Sequence, residues 1–246
     1  DGSGLLVWDR AGAAIDAVAR GPYSAEAAGL RVGRSPPGTF QGNSTMIDSI
    51  LAGNAKFRSD EYAPNEDYYH TIATQQKPKV LWIGCSDSRV SEDIITNSRP
   101  GTLFVHRNIA NIVAFNDVNV AAILDYALLH LNIEDIVVCG HTRCGGIAAL
   151  ESGNVDESYI ADWLCIASTA LEKTEEIARK EKLTHEQKLD LLVRENVKLQ
   201  IHRLEQIAVV KRLRKKQAWP RLHGWVYRVE TGGIDIVIDG KAESNV

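Results

Sequence analysis

Two short stretches hold the side chains of this sequence best suited to chemistry. Residues 83–90 read Ile-Gly-Cys-Ser-Asp-Ser-Arg-Val, and residues 140–146 read Gly-His-Thr-Arg-Cys-Gly-Gly. Taken alone, Cys85 fits a nucleophile, a redox thiol, a metal ligand or the last residue of a core strand. His141 and Cys144 are three residues apart at a strand-to-helix turn, so both can aim at one point. Gly145 and Gly146 let the backbone approach that point closely. If the strands that lead into these stretches are neighbours, Cys85, His141 and Cys144 converge. Two thiolates and an imidazole suit zinc, and three protein ligands with the fourth position open is the usual catalytic arrangement. Asp87 and Arg89 beside the first cysteine, and the glycine pair behind the third ligand, favour the metal over three unrelated polar residues. A phosphatase loop needs Cys-x5-Arg, whereas the spacing here is Cys-x3-Arg. Cys139 and Cys165 sit inside apolar runs and are assigned to the core.

The elements that must position these residues are those of an α/β protein. The sequence predicts strands over 79–84, 101–105 and 135–139, with helical spacing over 117–131, 145–151 and 157–180. The strongest helical signal is 185–214, where Thr184 and Gln187 form a capping-box pattern and Leu189, Leu192, Val193, Val197, Ile201 and Leu204 repeat at helical spacing. Helices also fit 46–57 and 65–74. Two last strands, 224–230 and 234–238, flank the turn Thr231-Gly232-Gly233. Strands separated by helices imply a central, mostly parallel sheet, and the last pair implies an antiparallel edge. Sites in such sheets form at the carboxyl ends of the parallel strands, where both reactive stretches fall.

Residues 1–45 differ from the rest, with eight of the 19 glycines and three of the seven prolines. They read as an N-terminal helical arm with short helices in the alanine-rich stretches 11–17 and 25–28, then a linker at 35–38. Such an arm suits contact with a partner subunit. A transit peptide fits less well, because four acids match the four arginines of the stretch. Residues 46–246 then form the catalytic α/β domain. A net charge of −4 gives no reason to expect nucleic acid or an anionic membrane as partner. The basic run 211–216 reads as a solvated helix end. No apolar stretch approaches the ~20 residues that span a bilayer. Four cysteines are too few for a disulfide scaffold, so an intracellular compartment is expected, cytoplasm or mitochondrial matrix.

Cys-Ser-Asp-Ser-Arg at 85–89 together with His-Thr-Arg-Cys-Gly-Gly at 141–146 resembles the β-class carbonic anhydrases, zinc enzymes that interconvert carbon dioxide and bicarbonate. The similarity runs from about Met46 to Tyr227. The resemblance implies one zinc ion per chain on Cys85, His141 and Cys144, with Asp87 and Arg89 as a catalytic dyad that orients zinc-bound hydroxide. It implies a substrate pocket with Gln76, Phe104, Ile109, Tyr126 and the Gly145 amide. It further implies a homodimer or homotetramer with pockets at the interface. Trp82, Arg107 and Tyr227 match a subset with a second, non-catalytic bicarbonate site, in which Asp87 can bind zinc as a fourth, closing ligand. Regulation by bicarbonate and pH follows for that subset. Two other readings stay open at this point: a carbon disulfide or carbonyl sulfide hydrolase on the same scaffold, and a non-catalytic zinc- or bicarbonate-binding protein.

Overall fold

The computed structural model describes residues 45–217 and 219–240, and the backbone of Val7–Trp8 and Ala14–Ile15. The chain divides into two compact units, residues 1–61 and 62–246. In the first, β1 (Val7–Trp8) pairs antiparallel with β2 (Ala14–Ile15). Ala14–Ile15 is therefore strand rather than part of the helix expected over 11–17; the helix at 25–28 and the linker at 35–38 lie outside the described residues. Helix α1 (Met46–Phe57) is capped by Thr45, whose side chain accepts from the Asp48 amide while Asp48 accepts from the Thr45 amide. Its apolar side chains Met46, Ile47, Ile50 and Leu51 are exposed.

The second unit is built on a five-stranded sheet of order β4-β3-β5-β6-β7: β3 (Val80–Cys85), β4 (Leu103–Asn108), β5 (Asp135–His141), β6 (Arg221–Tyr227) and β7 (Ile234–Ile238). The first four are parallel and β7 is the antiparallel edge. The central strands β3 and β5 are buried along nearly their whole length, which is why they read as continuous apolar runs without alternation. Helices α2 (Glu66–Thr74), α3 (Glu92–Ile95), α4 (Val118–Asp125), α5 (Gly145–Ser152), α6 (Ser158–Leu164), α7 (Ser168–Glu181), α8 (His185–Gln206) and α9 (Ala208–Gln217) fill the connections.

Helix α8 fixes the layer spacing. The Thr184–Gln187 capping box forms as expected, and Leu192, Val193, Val197, Ile201 and Leu204 are buried against the sheet. Each such side chain contributes roughly 1.5–3 kcal/mol by burial. Val197 sits in a notch made by two glycines: a Cβ on Gly140 of β5 or on Gly224 of β6 would meet a Val197 methyl at 2.9 Å.

Four expected elements differ: β6, which runs over Arg221–Tyr227 rather than 224–230, and three more. The predicted 185–214 helix breaks at Ile207, whose ψ of 131° is extended; the break turns Val209, Val210 and Leu213 of α9 back onto the core around Leu204. The predicted 157–180 helix is interrupted by a 3-10 turn, Cys165–Ala167, which places Cys165 at the surface rather than in the core. There its thiol donates to the Asp162 carbonyl. Strand β4 runs two to three residues later than expected, because Gly101 takes a φ of +90° in the turn before it. Cys139 is buried as expected, and burial pushes its thiol up to about 12.

Candidate metal centre

Strands β3 and β5 are direct neighbours, with Gly84 opposite Cys139, so their carboxyl ends lie side by side. Cys85 ends β3 and His141 ends β5; Cys144 is the residue at which α5 begins. The two sulfurs and a ring nitrogen of His141 all lie within 4.8 Å of one another, and all three residues are buried. Among the described residues, no other group of His, Cys, Asp and Glu has this geometry.

The local hydrogen bonds aim each ligand atom. His141 Nδ1 donates to the Thr142 carbonyl at 2.9 Å, which fixes the tautomer and leaves the Nε2 lone pair free. That Nε2 is buried without a hydrogen-bond partner. Thr142 is itself tied, its hydroxyl donating to Glu230 at 2.5 Å and accepting from the Val229 amide at 3.0 Å. The Cys144 sulfur accepts from the Gly146 and Ile147 amides in the first turn of α5. These donors have no intrahelical acceptor and favour a negative sulfur.

The sulfurs are 3.9 Å apart. Cys85 is lowered to about 4, chiefly by the Cys144 thiol and against the pull of burial, with help from His141 and the Ala110 amide. Cys144 is pushed up, first by its bond to the Cys85 sulfur and then by burial. Without a cation the pair thus holds one negative charge, and a cation between the sulfurs would let both act as thiolates. The donor set is soft sulfur and imidazole, and the orphaned Nε2 points into it. These residues fit zinc.

Asp87 and Arg89 form a tight pair beside this cluster. Arg89 Nε and its backbone amide both donate to Asp87 Oδ1 at 2.9 Å, and Nη2 donates to Oδ2 at 2.7 Å. Nη2 also donates to the Arg143 carbonyl at 3.0 Å, which ties the first motif to the second. The guanidinium holds the Asp87 carboxyl well below the usual carboxylate range. Its Oδ2 is 3.7 Å from His141 Nε2.

A cavity of about 360 Å³ opens on the cluster, lined by Cys85, Asp87, Ile109, Gly145, Ala149 and Ile160 among others. Ile109 and Gly145, two of the expected pocket residues, line this cavity. Gln76, Phe104 and Tyr126 are not among the residues of this cavity within one chain. Gln76 lines a separate polar cleft with Lys79, Asp135 and Arg221. Phe104 packs on Tyr126 with ring centroids 5.7 Å apart. Of the other expected group, Trp82 is fully buried and its indole N–H has no partner. Tyr227 packs in the same cluster. Arg107 donates to the carbonyls of Cys85, Asp87 and Val90 at 2.6–2.8 Å. Sequence reasoning missed this last role, since a carbonyl clamp leaves no mark on residue type.

Residues 80–234 match the family model described as carbonic anhydrase. The carbonic anhydrase of Pseudomonas aeruginosa is 39% identical over 196 residues, covering 78% of this chain and 87% of that one. Among solved structures, a tetrameric β-carbonic anhydrase from Sordaria macrospora superposes with a TM-score of 0.73 at 31% identity, covering 77% of this chain and 95% of the other. The β-carbonic anhydrase of Coccomyxa, solved with acetazolamide, gives a TM-score of 0.72 at 29% identity, covering 80% and 90%.

Proposed function

This chain belongs to the β-class carbonic anhydrases, and we infer from its converging Cys85, His141 and Cys144 that it is a zinc-dependent carbonate dehydratase. It catalyses the reversible hydration of carbon dioxide to bicarbonate and a proton. The observation that carries this is the buried triad with the unpartnered His141 Nε2, set against the Asp87–Arg89 pair. Zinc held there supplies Lewis acidity, lowering the pKa of water from about 15.7 toward about 7 and so providing hydroxide near neutral pH.

The protein's own groups do the rest. Asp87, kept ionised and acceptor-only by Arg89, would accept a hydrogen bond from the hydroxide that zinc supplies and so turn its lone pair to the substrate. Arg89 acts through Asp87 and, by its bond to the Arg143 carbonyl, keeps the dyad in register with Cys144. The side chains of Ile109, Ala149 and Ile160 give a linear, nonpolar gas an apolar wall. The amide of Gly145, at the start of α5, stabilises negative charge as it develops on the bicarbonate oxygens.

Gln76, Phe104 and Tyr126 complete the pocket from a second copy of the chain, in a homodimer or tetramer. Exposed Phe115, Val118, Tyr126 and Leu129 support such an interface. The Sordaria relative is described as tetrameric. The orphaned Trp82 N–H, with Arg107 and Tyr227, supports a second bicarbonate site. An anion there would compete for the Arg107 guanidinium that clamps the Cys85–Val90 loop, and Asp87, so loosened from Arg89, would be free to serve as a further zinc ligand. Added bicarbonate then lowers activity, and Arg107→Ala abolishes that response; an unresponsive wild type argues against the site.

The function is tested by metal analysis and a carbon dioxide hydration assay on wild type and Asp87→Ala. One zinc per chain in both, with activity lost only in the variant, is expected. Absence of zinc, or a fully active variant, overturns the mechanism.

A further inference from the structure

The chain between β4 and α4 contains two consecutive residues in the left-handed region, Ala110 at φ +60° and Asn111 at φ +47°. Neither is glycine, and a side chain in that region is strained unless its surroundings enforce it. Both are buried, at 0% and 1% exposure. The turn lies against both motifs. Asn108 pairs with Cys85 across the β4–β3 ladder, and its carbonyl accepts from the Ser86 amide at 2.9 Å. Ala110 packs with Cys85 and Cys144 in one buried cluster, and its amide lies close enough to the Cys85 sulfur to favour a negative charge there. On the other side, a Cβ on Gly146 would meet Ile109 at 3.0 Å and Ala110 at 3.2 Å, so α5 seats directly on the turn.

Its backbone groups are held from distant helices. Trp163 Nε1 of α6 donates to the Ile109 carbonyl at 2.8 Å. Asn196 Nδ2 of α8 donates to the Ala110 carbonyl at 3.0 Å. Gln200, one turn further along α8, accepts from the Val113 amide at 2.9 Å and donates to Asn196 Oδ1 at 2.7 Å. Asn196 and Gln200 are buried at 1% and 0% exposure among Leu192, Val193, Val197 and Ile201 of the same helix. Burying two amides there is costly unless every bond is made, and the bonds they make all go to this turn or to each other.

We propose that Asn196 and Gln200 are positioning residues for the metal centre: from α8 they hold the left-handed Ala110–Asn111 turn so that its amide stays on the Cys85 sulfur. This rests on the zinc reading above and extends it from the three ligands to a helix that touches none of them. An N–H bond withdraws charge from a thiolate and fixes its direction. Loss of the clamp lets the turn relax to right-handed backbone, which swings the Ala110 amide away. Cys85 then becomes a more electron-rich and less well-aimed ligand. Loss of a partner of this kind weakens metal binding by about 10–100-fold.

The test is zinc affinity by chelator competition, together with the sulfur-to-metal charge-transfer band after cobalt(II) replaces zinc, on the full-length protein. For Asn196→Ala we expect at least about tenfold weaker zinc binding and a cobalt band moved to longer wavelength. Adding Ala110→Gly to that variant restores both toward wild type, because glycine holds a positive φ without a clamp. Thr174→Val serves as the stability control, since that buried hydroxyl bonds within α7, to the Ala170 carbonyl. Should Asn196→Ala not fold, Asn196→Asp carries the same comparison: it keeps the shape and the acceptor for Gln200 but lacks the amide hydrogens that reach Ala110. A variant that loses stability as Thr174→Val does, yet keeps wild-type zinc affinity and cobalt band, overturns the proposal. A wild type with no sulfur-to-cobalt band sinks the zinc reading itself, and this inference with it.

Discussion

In the proposed mechanism, activity turns on Asp87. Three hydrogen bonds from Arg89 leave its carboxylate no freedom and keep it an acceptor. Asp87→Asn keeps the shape but places an amide where an acceptor is needed. It should lower the carbon dioxide hydration rate about 10–100-fold at unchanged zinc content, as read by stopped-flow assay beside metal analysis; equal rates would contradict the role. Cys165 offers a second check at this scale. It is exposed, while Cys139 is buried with its thiol pushed up to about 12. Mass spectrometry of the folded zinc-loaded protein after iodoacetamide should find Cys165 alkylated and Cys139 intact. The ligands were legible in the sequence because a strand end and a strand-to-helix turn constrain where side chains point. Cys165 was not, since a single 3-10 turn rotates it out of an apolar run. Asn196 and Gln200 were equally hidden. A polar residue inside a helical repeat reads as solvated face until the strained turn it serves is seen.

Among the elements, α8 and the two glycines beneath Val197 set how closely helix and sheet approach. A methyl at either glycine forces Val197 or the strand to move. Gly140→Ala or Gly224→Ala should therefore cost about 1–3 kcal/mol, measured as a lower urea midpoint, with Val197→Ala partly compensating. Wild-type stability in Gly224→Ala would show the notch to be looser than described. At the amino end of β5, burial raises the Asp135 carboxyl, but hydrogen bonds from Arg221 and His223 outweigh it and hold the group low. A carboxyl lowered in the folded state stabilises above its ordinary value near 3.8 and loses that contribution as pH falls below it. Acid titration followed by circular dichroism should thus show wild type losing stability below about pH 4 more steeply than Asp135→Asn. The strands and their parallel order were legible because β3 and β5 are apolar without alternation. The helix break at Ile207 was not, because apolar spacing continues across it and only the return of Val210 and Leu213 to the core requires it.

For the whole molecule, one chain carries the metal triad and dyad, while Gln76, Phe104 and Tyr126 stand away from its cavity. Phe115 and Val118, 60% and 81% exposed, are the side chains that the proposed interface between copies would cover. Light scattering on a sizing column should give a dimer or tetramer, and Phe115→Arg with Val118→Arg should shift it toward monomer with the hydration rate reduced and zinc retained. A monomeric wild type at full activity would rule the shared pocket out. A pocket shared between two copies, as proposed, would leave no trace in the spacing of a single chain. The most direct test of the central claim is the hydration rate of metal-free protein titrated with zinc. A rate that rises linearly and levels off at one zinc per chain is expected, with no such rise in Cys144→Ser. A rate independent of zinc, or zinc bound one per chain with no hydration of carbon dioxide, would contradict it.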